Sequence, residues 1–67
     1  MIIYINSERR EIPDDINNVS RLVAFLRLKK EGLGVGVNSK LIPTRNWETA
    51  SIKEDDRIII VSAAYGG

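Results

Sequence analysis

The chain has 67 residues, ten Lys or Arg against nine Asp or Glu, and neither cysteine nor histidine. A single domain of this size buries only about 60% of the surface its unfolded chain exposes, which leaves little room for an enclosed active site. The absent residue types exclude disulfides, thiolate metal sites and most nucleophile–base pairs, and a formal net charge of +1 argues against a nucleic-acid footprint.

Met1 to Ile5 is rich in strand formers, and alternation puts Ile3 and Ile5 on one face with Ile2 and Tyr4 on the other. This run is too short for a signal peptide or a membrane span, and a cytoplasmic protein is expected. Asn6-Ser7-Glu8 has turn composition, and Arg9 to Ile12 returns as a second strand that stops at Pro13. Asp14 to Asn17 reads as a loop with Asn18 as the N-cap of a helix, because its side-chain oxygen can accept a first-turn N–H. Val19, Leu22, Val23 and Leu26 then follow the spacing of one helix face. Lys29 and Lys30 are expected near the negative pole of that helix, with Gly32 or Gly34 as its stop. Val35-Gly36-Val37 and Leu41-Ile42 flank the turn residues Asn38-Ser39-Lys40 as a second hairpin, ended by Pro43. Thr44 to Ala50 is expected to be irregular or a single helical turn anchored by Trp47. Arg57-Ile58-Ile59-Ile60-Val61 is a β-branched run that reads as a central strand.

The order β-β-α-β-β-β predicts an α+β fold, one mixed sheet packed on one helix, with the last strand parallel to the first. Residues 1–62 make the domain. Ile3, Ile5, Ile12, Val19, Leu22, Val23, Leu26, Ile58 and Ile60 are expected to form the helix-facing core. Ile59 and Val61, with Ile2 and Tyr4, fall on the opposite face, which no second layer covers. An apolar patch left open on a small domain marks a binding surface.

Residues 63–67, Ala63-Ala64-Tyr65-Gly66-Gly67, are expected to form a mobile tail, since alanines bring little surface to bury and glycines lose most backbone freedom on ordering. Without a Cβ, Gly66 and Gly67 can thread a narrow channel and present the α-carboxylate to another protein. Ala63, Ala64 and Tyr65 join Ile2, Tyr4, Ile59 and Val61 as expected partner contacts. The carboxylate itself is ionised at neutral pH and a poor electrophile, so something must activate it.

The sequence resembles the sulfur carriers of bacterial thiamine biosynthesis, the ThiS family, which have a ubiquitin-like β-grasp fold. The resemblance spans essentially the whole chain. It is carried by Asn18-Val19 with Leu22-Val23, by Val37-Asn38 and Leu41-Ile42-Pro43-Thr44-Arg45-Asn46-Trp47, and by Asp56-Arg57-Ile58-Ile59-Ile60-Val61 with Gly66-Gly67. The Pro–Arg–Trp stretch is the discriminating part. The chain departs at Asp55, where the family commonly has glycine.

The resemblance implies a carrier that is a protein substrate and not an enzyme, with no bound cofactor or metal. A ThiF-like adenylating enzyme would use ATP and magnesium to activate the Gly67 carboxylate, with Gly66 as its steric companion. A persulfide donor would supply sulfur, and thiazole synthase would receive it from the resulting thiocarboxylate. Nucleic acid and membrane are not expected partners. A terminal Gly-Gly also suits the small subunit of molybdopterin synthase, a ubiquitin-like modifier attacked by a lysine, or a passive interaction module.

The remaining features have structural readings. Asp14-Asp15 and Glu54-Asp55-Asp56 are adjacent carboxylates in expected turns, read as solvated loop residues and not as acid–base pairs. Gly32, Gly34 and Gly36 lack the spacing and the following Lys-Ser/Thr of a phosphate loop; a helix stop and a thin strand account for them. Arg9-Arg10 and Lys29-Lys30 read as solvated charge, and Trp47 as a packing residue.

Overall fold

The computed structural model describes residues 1–62. Two hairpins are closed by the same pair of residue types, Asn6-Ser7 and Asn38-Ser39, each with φ of 50° then 71°. Successive left-handed residues match the right-handed twist of the flanking strands, and Asn is among the few side chains that enter this region cheaply. The first turn joins β1 (Ile2–Ile5) to β2 (Glu8–Glu11), and the second joins β3 (Leu33–Val37) to β4 (Lys40–Leu41). Between the hairpins lies α1 (Val19–Phe25); after them come a 3-10 turn, Thr44–Asn46, and β5 (Arg57–Ser62). The sheet order is β2-β1-β5-β3-β4. β5 runs parallel to β1 and antiparallel to β3, so the central strand is the last of the described strands, as its β-branched run predicts.

The core forms on one side of this sheet. Ile3, Ile5 and Ile58 from the strands meet Val19, Leu22 and Val23 from α1, all buried, with Ile12 just beyond β2. Leu26 and Ile60 are only partly buried at its margin. Val35, Trp47 and Ile52 join the core as well, beyond the residues that helix and strand periodicity select. Trp47 is 2% exposed, and its indole N–H donates to the Ile42 carbonyl at 3.0 Å. That bond fixes the Pro43–Trp47 loop against the end of the second hairpin, which supports the packing role expected of this Trp.

The helix begins as predicted and ends early. Asn18 is extended, and its side-chain oxygen accepts the Arg21 N–H at 2.7 Å. The other end closes at Leu26. Arg27 takes φ of 58°, its N–H donating to Ala24 O at 3.1 Å while the Leu28 N–H donates to Val23 O at 3.1 Å. These two bonds close the end in the manner of a Schellman motif, with an arginine where glycine is the relaxed choice. Lys29 and Lys30 therefore lie past the helix and not in its last turn, and neither Gly32 nor Gly34 stops it. Gly32, at φ of 71°, serves the turn into β3, and Gly34 lies within that strand.

Asp14, Asp15, Glu54 and Asp55 are exposed, as expected of solvated loop residues, with Asp56 half-buried, and three of these carboxylates also accept from main-chain or terminal N–H groups. Asp14 accepts from the Met1 ammonium at 2.7 Å, Glu54 from the Ile2 N–H at 2.9 Å, and Asp56 from Lys53 N–H at 2.8 Å. The hydrogen bond and charge of Asp14 hold the Met1 amine above its ordinary pKa, and the same contact holds Asp14 below the ordinary carboxylate value. Asp55 does adopt the left-handed geometry that a glycine would, with φ of 68° and its N–H donating to Ile2 O at 2.7 Å.

Candidate docking face and the root of the tail

β5 displays its two faces residue by residue. Ile58 is 1% exposed on the helix side, whereas Ile59 and Val61 on the other side are 54% and 61% exposed. The neighbouring strand sharpens the contrast: β3 places Gly36 opposite Ile59 and Gly34 opposite Val61. Neither glycine has a side chain to fill the surface there. Beyond β3, Leu41 pairs with Gly36 and is 73% exposed. The outcome is an apolar trough of about 310 Å³, floored by Gly34 and Gly36 and walled by Leu41 on one side and by Ile59 and Val61 on the other. A Cβ at Gly36 would approach nothing closer than the Lys40 carbonyl at 3.6 Å, so glycine here shapes the surface without being sterically required.

Tyr4 stands on the far side of β5. It pairs with Arg57, whose guanidinium carbon lies 5.4 Å from the Tyr4 ring centroid. A cation over an aromatic face is favourable by about 0.5–1 kcal/mol at exposed sites, and it ties the ring to the strand that carries Ile59. Ile2 is placed differently. It pairs with Glu11 at the opposite end of β1, and β5 pairs with that strand only at Tyr4 and Ile5. The structure thus gathers Tyr4, Ile59 and Val61 around β5, and Ile2 stands apart from them. Leu41, Gly34, Gly36 and Arg57 complete the surface. Leu41 follows from the hairpin itself: a two-residue turn at Asn38-Ser39 pairs Gly36 with Leu41, which alternation then puts beside Ile59.

β5 carries this surface toward the end of the chain. Its pairing with β3 continues to Leu33 opposite Ser62. On the β1 side, backbone bonds run from Tyr4 N–H to Asp56 O and from Asn6 N–H to Ile58 O, both 2.9 Å. One step on, the Asn6 side chain accepts the Ile60 N–H at 2.9 Å and donates to the Ile60 carbonyl at 3.1 Å. The predicted tail, with its site residues Ala63, Ala64, Tyr65, Gly66 and Gly67, lies outside the described residues. Among those residues no group of His, Cys, Asp or Glu is arranged to hold a metal ion, and no helix is long and apolar enough to cross a membrane.

A family model of the ThiS family matches residues 3–67. The crystal structure of a thiamine biosynthesis protein (ThiS) from Geobacter metallireducens is similar over 100% of both chains, with a TM-score of 0.85 at 19% identity. The NMR solution structure of a thiamine biosynthesis protein from the same organism covers 100% of this chain and 88% of its own, with a TM-score of 0.84 at 19% identity. At that identity the likeness speaks to the fold, an α+β ubiquitin-like β-grasp. No curated protein sequence matches the chain at a significant level.

Proposed function

Because the chain belongs to the ThiS family, we propose that it is a sulfur carrier of thiamine biosynthesis, handed as a protein substrate between partner enzymes. The observation that carries this reading is the continuity of β5. One strand presents an uncovered apolar surface at Ile59 and Val61 and then leads into the five residues that end at Gly67. A partner seated on that surface holds the strand from which the chain runs on to the residue it must modify.

The chemistry follows from what a carboxylate lacks. Attack of the Gly67 carboxylate on the α-phosphorus of ATP, with magnesium held by a ThiF-like adenylating enzyme, releases pyrophosphate and creates an acyl adenylate. AMP is then the leaving group for sulfur from a persulfide donor, and reduction of the resulting acyl disulfide by a thiol leaves the thiocarboxylate. Thiazole synthase takes the sulfur from there. The carrier contributes docking and an unhindered terminus, Gly66 and Gly67 adding no side chain near the reacting carbon. Having no cysteine, it has no thiol of its own to intercept the activated acyl group. ATP and magnesium belong to the partner.

Intact-mass spectrometry tests this. After incubation with an adenylating enzyme, magnesium-ATP and a persulfide source, the chain gains about 16 Da as one oxygen is exchanged for sulfur. An unchanged mass, or a ladder of conjugates on lysines in its place, overturns the reading.

A further inference from the structure

Asn6 and Asn38 occupy the same position in two matching turns, and both reach β5. Asn38 ties the entry of that strand: its side-chain oxygen accepts the Arg57 N–H at 2.9 Å, its own N–H donates to Arg57 O at 2.8 Å, and its amide donates to Asp56 at 3.0 Å. Asn6 acts at the other end. Along β5 the peptide groups of Asp56, Ile58 and Ile60 face β1, but the left-handed Asn6-Ser7 pair turns β1 back toward β2 before Ile60 is reached. The N–H and C=O of Ile60 would be left without a strand to meet. The Asn6 carboxamide meets both, one as acceptor and one as donor, as a peptide unit would.

We propose that Asn6 is a positioning residue for the carrier's reacting terminus: by standing in for a strand beside Ile60, it makes Ile60 the last described position at which β5 is held on both edges. This rests on the sulfur-carrier reading. A strand tied on both edges follows the sheet, whereas one tied only to β3 can pivot about that ladder. The residues affected are the functional ones. Ile59 and Val61 flank Ile60, so a pivot of β5 there redirects the apolar surface and the point from which the chain runs on toward Gly67. Misplacement of a reacting group by about 1 Å can cost up to about a hundredfold in rate.

The paired turns supply the test. Asn6→Gly and Asn38→Gly each delete one side chain while keeping a residue that accepts the left-handed backbone. Asn6→Asp keeps the acceptor for the Ile60 N–H and loses the donor to its carbonyl. Measured with an adenylating enzyme as pyrophosphate release, Asn6→Gly lowers kcat by about tenfold and Asn6→Asp by about threefold, while Asn38→Gly stays within about twofold of the native chain. All three remain folded by circular dichroism. Equal losses in the two Gly variants mean a general structural role and overturn the proposal, as does a native rate in Asn6→Gly. Amide exchange separates this from the carrier reading itself. In Asn6→Gly the Ile60 amide exchanges at least about tenfold faster while Ile58 keeps its protection, with no partner present. If the native chain is never adenylated, the carrier reading fails. An Ile60 amide unaffected by Asn6→Gly instead refutes the tether.

Discussion

Ile58 and Ile59 are the same residue type, adjacent in one strand, and the fold gives them opposite tasks. Ile58 is 1% exposed beneath the helix and Ile59 is 54% exposed above the trough. The difference comes from layer number. Among the described residues one α-helix covers one side of a five-stranded sheet, so the same β-branched chemistry holds the molecule together on one side and is left available on the other. Side-chain type does not distinguish a core residue from a docking residue here; the parity of its position in β5 does.

The largest effect expected from that comparison is on stability. Ile58→Ala empties a site walled by the core and costs about 2–5 kcal/mol, measured by urea denaturation, while Ile59→Ala changes stability by about 0.5 kcal/mol or less. Equal losses would mean that Ile59 is not a surface residue. Docking should show the converse. Ile59→Glu puts a charge into the apolar trough and weakens binding to an adenylating enzyme by tenfold or more, about 1.4 kcal/mol or above by calorimetry, with the urea midpoint kept.

Gly36→Ala sharpens the contrast further, because the two readouts move in opposite directions. A strand-interior glycine costs about 0.5–1 kcal/mol relative to alanine, and the added Cβ meets only ordinary contact at 3.6 Å. The variant is therefore more stable by up to about 1 kcal/mol in urea, while the shallower trough binds the partner several-fold less tightly.

The smallest effect concerns the fold alone. The Met1 ammonium has a raised pKa, so its contribution is complete below about pH 8 and lost as pH rises through the raised value. Asp14 has a lowered pKa, so its contribution is complete above about pH 4 and lost as pH falls through the lowered value. The pair therefore supports folding between those limits. Asp14→Asn flattens the pH dependence of the melting temperature at both ends and leaves partner affinity at neutral pH unchanged.

Much of this was legible in the sequence, where local chemistry and the tertiary outcome agree. Asn18 caps the helix, the alternation at Ile58-Ile59-Ile60 separates the faces, and Asn-Ser in both hairpins marks the turns. The helix end was not legible. It falls at Leu26, with the left-handed position after it taken by Arg27, a residue with no preference for that backbone, because the Leu28 and Arg27 N–H groups find the carbonyls of Val23 and Ala24. Periodicity also passes over Trp47 and Ile52, which come from irregular segments and reach the core through tertiary placement. The trough was half visible. Ile59 and Val61 stand out as apolar residues without cover, but its shape depends on what is absent, the side chains of Gly34 and Gly36, and on the hairpin register that brings up Leu41. The pair of hydrogen bonds between the Asn6 side chain and the Ile60 backbone joins residues far apart in the chain and needs the parallel β1–β5 pairing to be seen.

The central claim is that a partner grips the open side of β5 in order to place sulfur on Gly67, and the rate of mass gain in two chains tests it most directly. With an adenylating enzyme, magnesium-ATP and a persulfide source, the native chain should gain about 16 Da, and Ile59→Glu should gain it at least about tenfold more slowly at subsaturating carrier. A native chain that never gains the mass, or two chains that gain it at the same rate, would contradict the account.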